Sequence, residues 1–189
     1  MAIGGINVDI LKELQSYTDY SLGKINERIE IKFSDTSFTE LIFSGYDLNN
    51  TEFLEVSFNQ CNFTNVYLSG SNLSGSIFNR CIFNNNVFRK GKAEYASFNQ
   101  TDIKNIDSFR TSFYGASFDD LVIENSLMSN DFFARSFFSN VVFKNVNLAN
   151  TSFIHSRFKN VKFVECILYN TIFDNVCGME YVIFIDNER

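Results

Sequence analysis

The chain has 189 residues, 23 of them Phe, with no Trp, no Pro and a formal net charge of −6. That length suits one domain with a sizeable core, and the acidic balance argues against nucleic acid as a direct partner. No stretch approaches the roughly 18 apolar residues of a membrane span, and the first residues lack the basic-then-apolar order of a signal peptide. The four cysteines, Cys61, Cys81, Cys166 and Cys177, form no CxxC pair, so a reduced, cytoplasmic setting is expected.

Residues 1–30 read as an N-terminal cap. Over 7–20, Asn7 or Asp9 offers a helix N-cap, and Ile10, Leu11, Leu14 and Tyr17 fall on one apolar face. The alternating segment 25–33 then leads into a different regime.

From Phe33 to Phe173 an apolar and mostly large residue returns at every fifth position in an unbroken register, Ser108 being the one polar residue among these centres. Helices favour spacings of three and four and strands a spacing of two, so five fits neither. Two positions before each centre stands a mostly small residue, such as Cys61, Ser71 or Ala96. Each unit therefore reads small–x–large–polar–polar, with the small and large residues pointing inward. Sorting the centres by twenty separates them by type. One column is wholly Phe (Phe38, Phe58, Phe78, Phe98, Phe118, Phe138, Phe158), while Leu concentrates in the column of Leu48, Leu68, Leu148 and Leu168. Four units per coil and about seven coils over 31–178 follow, with the Phe column as a stacked core ladder.

The units "CNFTN" (61–65), "SNLSG" (71–75), "TDIKN" (101–105) and "VNLAN" (146–150) make the chain resemble the pentapeptide-repeat family, whose units read roughly A(D/N)Lxx. The resemblance spans about residues 31–175. It implies an all-β fold, a right-handed quadrilateral parallel β-helix, here with a short N-terminal α-helical cap. It also implies one activity: some family members mimic DNA and bind DNA gyrase or topoisomerase IV, protecting bacteria from quinolones or gyrase poisons. The charges favour that role little. Residues 31–173 hold 13 acids against 12 bases, and no column repeats acids at phosphate-like spacing, as a DNA mimic should.

Several features stay open at this level. The units "GKAEY" (91–95) and "IDSFR" (106–110) replace the large centre with Ala93 and Ser108, which fits local bulges or a projecting loop. Asn65, Asn85, Asn105, Asn125 and Asn145 recur at one unit end, fitting either turn chemistry or a ladder of stacked amides. Beyond Gly178 the pattern decays, and residues 179–189 read as a short apolar strand with a charged tail. That segment is either the last wall of the stack or an exposed edge, leaving a capped monomer and an end-to-end homodimer equally open.

Little points to catalysis. The single histidine, His155, is expected at an outward corner, and no HExxH, phosphate loop or nucleophile elbow is present. Cys61 and Cys81 should stack in neighbouring coils as compact inward residues. No catalytic, metal or cofactor-binding residue is assigned, so a non-enzyme is expected. The outward positions Ile42, Ile82, Val122 and Val142, with Phe132 and Phe137 beside Tyr95, Phe109 and Tyr114, would mark a protein-binding patch if they cluster; otherwise they are β-branched and aromatic residues that an outward β surface tolerates. The expected function is a rigid protein-interaction module with an unknown protein partner. The alternative is a binder of a type II topoisomerase.

Overall fold

The five-residue period winds the chain into a parallel β-solenoid, nearly all sheet, with one N-terminal helix. A computed structural model describes residues 3–188, with side chains from residue 9 onward. Residues twenty apart pair in parallel: Phe38 with Phe58, Phe58 with Phe78, Phe78 with Phe98, Phe98 with Phe118, and so on to Phe158. Each coil thus has four faces, named here one to four after the centres Phe33, Phe38, Phe43 and Leu48.

Every fifth residue from Asp35 to Asn175 adopts a left-handed backbone, for example φ 57° at Glu55 and 58° at Asn65. These are the corners of the square. Asn is the commonest residue there because its short side chain tolerates left-handed backbone. The amide ladder also exists in part. Asn85 Nδ2 donates to Asn65 Oδ1 and Asn145 Nδ2 to Asn125 Oδ1, both at 2.7 Å, whereas Asn105 turns aside to Asn84 Oδ1 at 2.8 Å.

Inside, the aromatic columns stack. Rings of Phe58, Phe78, Phe98, Phe118 and Phe138 follow one another at 4.9–5.0 Å and within 10° of parallel. The small inward residues do more than leave room, because their hydroxyls donate to the carbonyl of a centre 23 residues earlier. Ser76 reaches Phe53 O at 2.8 Å, Ser136 reaches Phe113 O at 2.7 Å and Ser156 reaches Phe133 O at 2.6 Å. Cys61, Cys81 and Cys166 occupy the same slot and their thiols make the same contact at 3.4–3.5 Å. All four cysteines are free, and only Cys177 is exposed.

Three expectations need correction. Helix α1 runs over Ile3–Ser21, so Asn7 and Asp9 lie within it rather than at its cap. It is held onto the first coil by buried Ile10, Leu14 and Tyr17, by the Tyr17 hydroxyl on Asn49 O, and by Asp47 N donating to Thr18 Oγ1 at 3.1 Å. The solenoid has about eight turns, not seven. After Gly178 one extra residue enters, and the strand Ile183–Ile185 then pairs with Lys162–Val164 at a spacing of twenty-one. Phe184 thereby stacks on Phe163 at 5.3 Å and 11°, so the C-terminal segment is the last wall. Finally, 91–95 and 106–110 are neither bulge nor loop, since Lys92 and Asp107 keep the twenty-residue bridges to Ser112 and Leu127.

The missing volume at Ala93 and Ser108 instead appears in the core. A cavity of about 30 Å³ opens at the fourth coil, bounded by Leu73 and Phe113 in one column and by Phe88 and Met128 in another. These are the neighbours above and below the two small centres. Beside it, Ser108 and Asp131, both buried, hydrogen-bond to each other, and Asp131 Oδ1 accepts from Thr111 N at 2.8 Å. Burial, the largest cause, pushes the Asp131 carboxyl well above the usual range, against the lowering effect of Ser108 and Thr111.

Candidate interaction surface

A solenoid filled with rings presents its chemistry on the outside. On each face the residue just before the centre points outward and stacks with its equivalents twenty residues away. The six anticipated surface residues do not form one patch. Ile42, Ile82, Val122 and Val142 share face three, but Asn62 stands between Ile42 and Ile82 and Asp102 follows Ile82. Alongside them run the ion pairs Lys104–Asp102 at 3.2 Å and Lys144–Glu124 at 3.1 Å. Face three is therefore a mixed polar surface. Phe132 lies on face one and Phe137 on face two.

Those two phenylalanines flank the corner between faces one and two, and there an aromatic cluster does assemble. The Tyr95 ring packs edge-on against Tyr114 at 5.6 Å, and Tyr114 lies nearly parallel to Phe132 at 6.1 Å and 7°. Arg135 covers the Tyr114 ring at 5.9 Å, a cation–π contact. Tyr95 is 65 % exposed, Phe132 43 % and Phe137 41 %. Phe137, Arg135, His155 and Arg157 line a shallow surface depression next to them. His155 sits at an exposed, left-handed corner, as expected. Phe109 is apart on face four, under Arg110 at 5.1 Å.

The cluster follows from local sequence. Tyr95 occupies a corner with φ 58°, and the next corner, Gly115, carries no Cβ; one added there would come within 2.7 Å of the Tyr95 ring. Gly115 is what lets Tyr95 lie down along the stack. The sequence left open whether these residues cluster; the structure brings Tyr95, Tyr114 and Phe132 together and leaves Phe109 apart. The signal was available: with a period of twenty, 95, 115 and 135 must share one corner.

Among the described residues no group of three or more His, Cys, Asp or Glu side chains could hold a metal, and no helix is long and apolar enough to cross a membrane. The Cys81 thiol is pushed up by its hydrogen bond with Cys61 and by burial, and burial raises Cys166.

Comparison with known proteins gives a family. The family model for pentapeptide repeats matches in eight copies over residues 31–70, 67–105 and 136–176. No curated protein matches the chain. Among solved structures, HetL, a pentapeptide repeat protein involved in heterocyst differentiation regulation from the cyanobacterium Nostoc sp. strain PCC 7120, is 14% identical over 84% of this chain and 85% of its own, with a TM-score of 0.42. Full-length QnrB1, a plasmid-mediated fluoroquinolone resistance protein, is 12% identical over 83% and 92%, with a TM-score of 0.34. Rfr23 from the cyanobacterium Cyanothece 51142 is 15% identical over 90% and 99%, with a TM-score of 0.20.

Proposed function

This chain belongs to the pentapeptide-repeat family, and from that premise we propose that it is a rigid, non-catalytic protein-interaction module. The observation that carries the reading is the aromatic corner. Exposed Tyr95 and Phe132 form one strip with half-buried Tyr114 between them, beside Arg135, and Tyr and Arg are the residue types enriched at binding hot spots. A stack of coils fixes such a strip with little conformational freedom, which lowers the cost of ordering it on binding. The partner is a protein, and the free cysteines support a reducing, cytoplasmic setting. The partly exposed Phe173, Val176 and Phe184 of the last coil support an end-to-end homodimer as one further contact.

The test is differential capture. Wild-type protein and the Tyr114→Ala/Phe132→Ala variant are immobilised, with equal far-UV CD spectra as the folding control. A protein retained by the wild type and lost by the variant is the expected result; identical retention profiles sink the reading. Binding to a type II topoisomerase is the second reading, resting on family analogy. Acids run through no more than two successive coils in any outward row, which weighs against a DNA-like stripe. A supercoiling assay with purified gyrase, with and without a quinolone, decides it: dose-dependent inhibition or protection supports the topoisomerase partner, and no effect removes it.

A further inference from the structure

The corner between faces one and two has an ordered charge pattern. Its residues are joined from coil to coil by backbone hydrogen bonds of the next unit, for example Glu55 N to Ser74 O at 3.0 Å and Arg135 N to Ile154 O at 2.9 Å. At the N-terminal end the row carries Asp35 and Glu55. In its middle come Gly75, Tyr95 and Gly115. Towards the other end stand Arg135 and His155. The four polar end residues are exposed, and none enters an ion pair among the described residues.

This row is self-complementary when reversed. Because every step is one coil, Asp35 and His155 lie equally far from Tyr95, three coils each, and Glu55 and Arg135 two coils each. We propose that the occupant of this corner is a second copy of the chain, lying antiparallel alongside the first about a two-fold axis at the level of Tyr95. The proposal rests on the reading of this corner as a protein-binding surface. The axis sets Glu55 against the partner copy's equivalent of Arg135 and Asp35 against that of His155, twice each by symmetry. It brings Gly75, over which the Glu55 side chain lies, opposite the partner copy's Gly115, over which the Tyr95 ring lies. A parallel arrangement would instead oppose acid to acid and base to base, so the charges select direction as well as partner. Glu94, next to Tyr95, is held on its own chain by Ser112 Oγ at 2.8 Å. A ridge-to-ridge contact buries modest area, so the dimer is salt-sensitive and weak by the standard of obligate interfaces.

Sedimentation velocity across protein concentration at low and high salt is the first measurement. A monomer–dimer equilibrium that weakens with salt is expected. Arg135→Glu alone and Glu55→Arg alone each lower the association constant at least ~10-fold, and the double reversal Glu55→Arg/Arg135→Glu restores it. Corners elsewhere in the chain already carry Glu (Glu40, Glu165) and Arg (Arg80, Arg110), so these variants are compatible with the fold. As a direct trap, Tyr95→Cys in a Cys177→Ser background forms a disulfide-linked dimer under copper–phenanthroline oxidation, while Asn105→Cys on the opposite corner does not. A monomer at every concentration, or a dimer indifferent to both reversals and untrapped at position 95, overturns the proposal. If the dimer fails while Tyr114→Ala/Phe132→Ala still loses a captured protein, the corner is an interaction surface for a different partner.

Discussion

At the scale of single residues, Asp131 is the costly one. It occupies a slot that elsewhere holds a donor, such as Ser136 or Ser156, and an ionised carboxylate donates nothing. Its folded pKa is raised by burial; in an unfolded chain an Asp titrates near 3.9. The folded state therefore binds more protons, so stability falls as pH rises from about 4 towards the folded pKa. Asp131→Asn should remove this dependence, since an amide both donates and accepts; Asn187 already donates from such a slot to Phe163 O at 2.9 Å. Urea midpoints between pH 4 and 8 test it: the wild type should lose stability across the window relative to the variant, and parallel curves refute the assignment. The cavity yields a second residue-scale prediction. Leu73 lines it, in a column otherwise rich in Phe. Leu73→Phe fills part of about 30 Å³, and at roughly 24 cal/mol per Å³ the gain is at most ~0.7 kcal/mol. A loss in thermal or urea denaturation would mean that the ring does not reach the void.

The element is the five-residue unit, and its two invariants are a filled inward pair and a left-handed corner. Phe118 lies between Phe98 at 5.0 Å and Phe138 at 4.9 Å, so Phe118→Ala removes a ring from mid-column and should cost about 3–5 kcal/mol. Asn125→Val should cost ~1–2 kcal/mol, because a β-branched residue resists left-handed backbone, and it also deletes the acceptor for Asn145. Asn125→Gly should cost less. Equal losses for Val and Gly in denaturant titrations would show that the amide contact, not the backbone, sets the residue. Most of the unit was readable from the sequence, since centres, slots and the twenty-residue register all follow from periodicity. What escaped was what periodicity does not encode. Asp131 lies 23 residues after Ser108, the spacing Ser76, Ser136 and Ser156 also use, but that spacing becomes visible only once the carbonyl partners are known. The one-residue insertion after Gly178 hides Phe184 from a strict count of five. The helix start escaped; the contacts that seat the helix lie towards its other end, Tyr17 on Asn49 and Thr18 on Asp47, and come from residues distant in sequence.

At the scale of the molecule, each coil touches only its neighbours, so stability is close to a sum of local terms and unfolding begins where a neighbour is missing. The two ends differ in this respect. The first coil is covered by helix α1, with Leu14 fully buried and Leu48 sealed beneath it. The last coil among the described residues has Phe173, Val176 and Phe184 only partly buried. Fraying should therefore start at the C-terminal end. Native-state hydrogen exchange should show protection lowest over 173–188, highest in coils five to seven, and reduced again around the fourth coil, where the void loosens packing between Leu73 and Phe113. The asymmetry has a cause that can be removed. Leu14→Ala weakens the seat of the cap, and exchange at the first coil, around Phe33 and Leu48, should then rise towards that of the last. If both ends of the wild type exchange alike, the helix is not what protects the first coil, and the open C-terminal end must be covered in solution by contacts of its own.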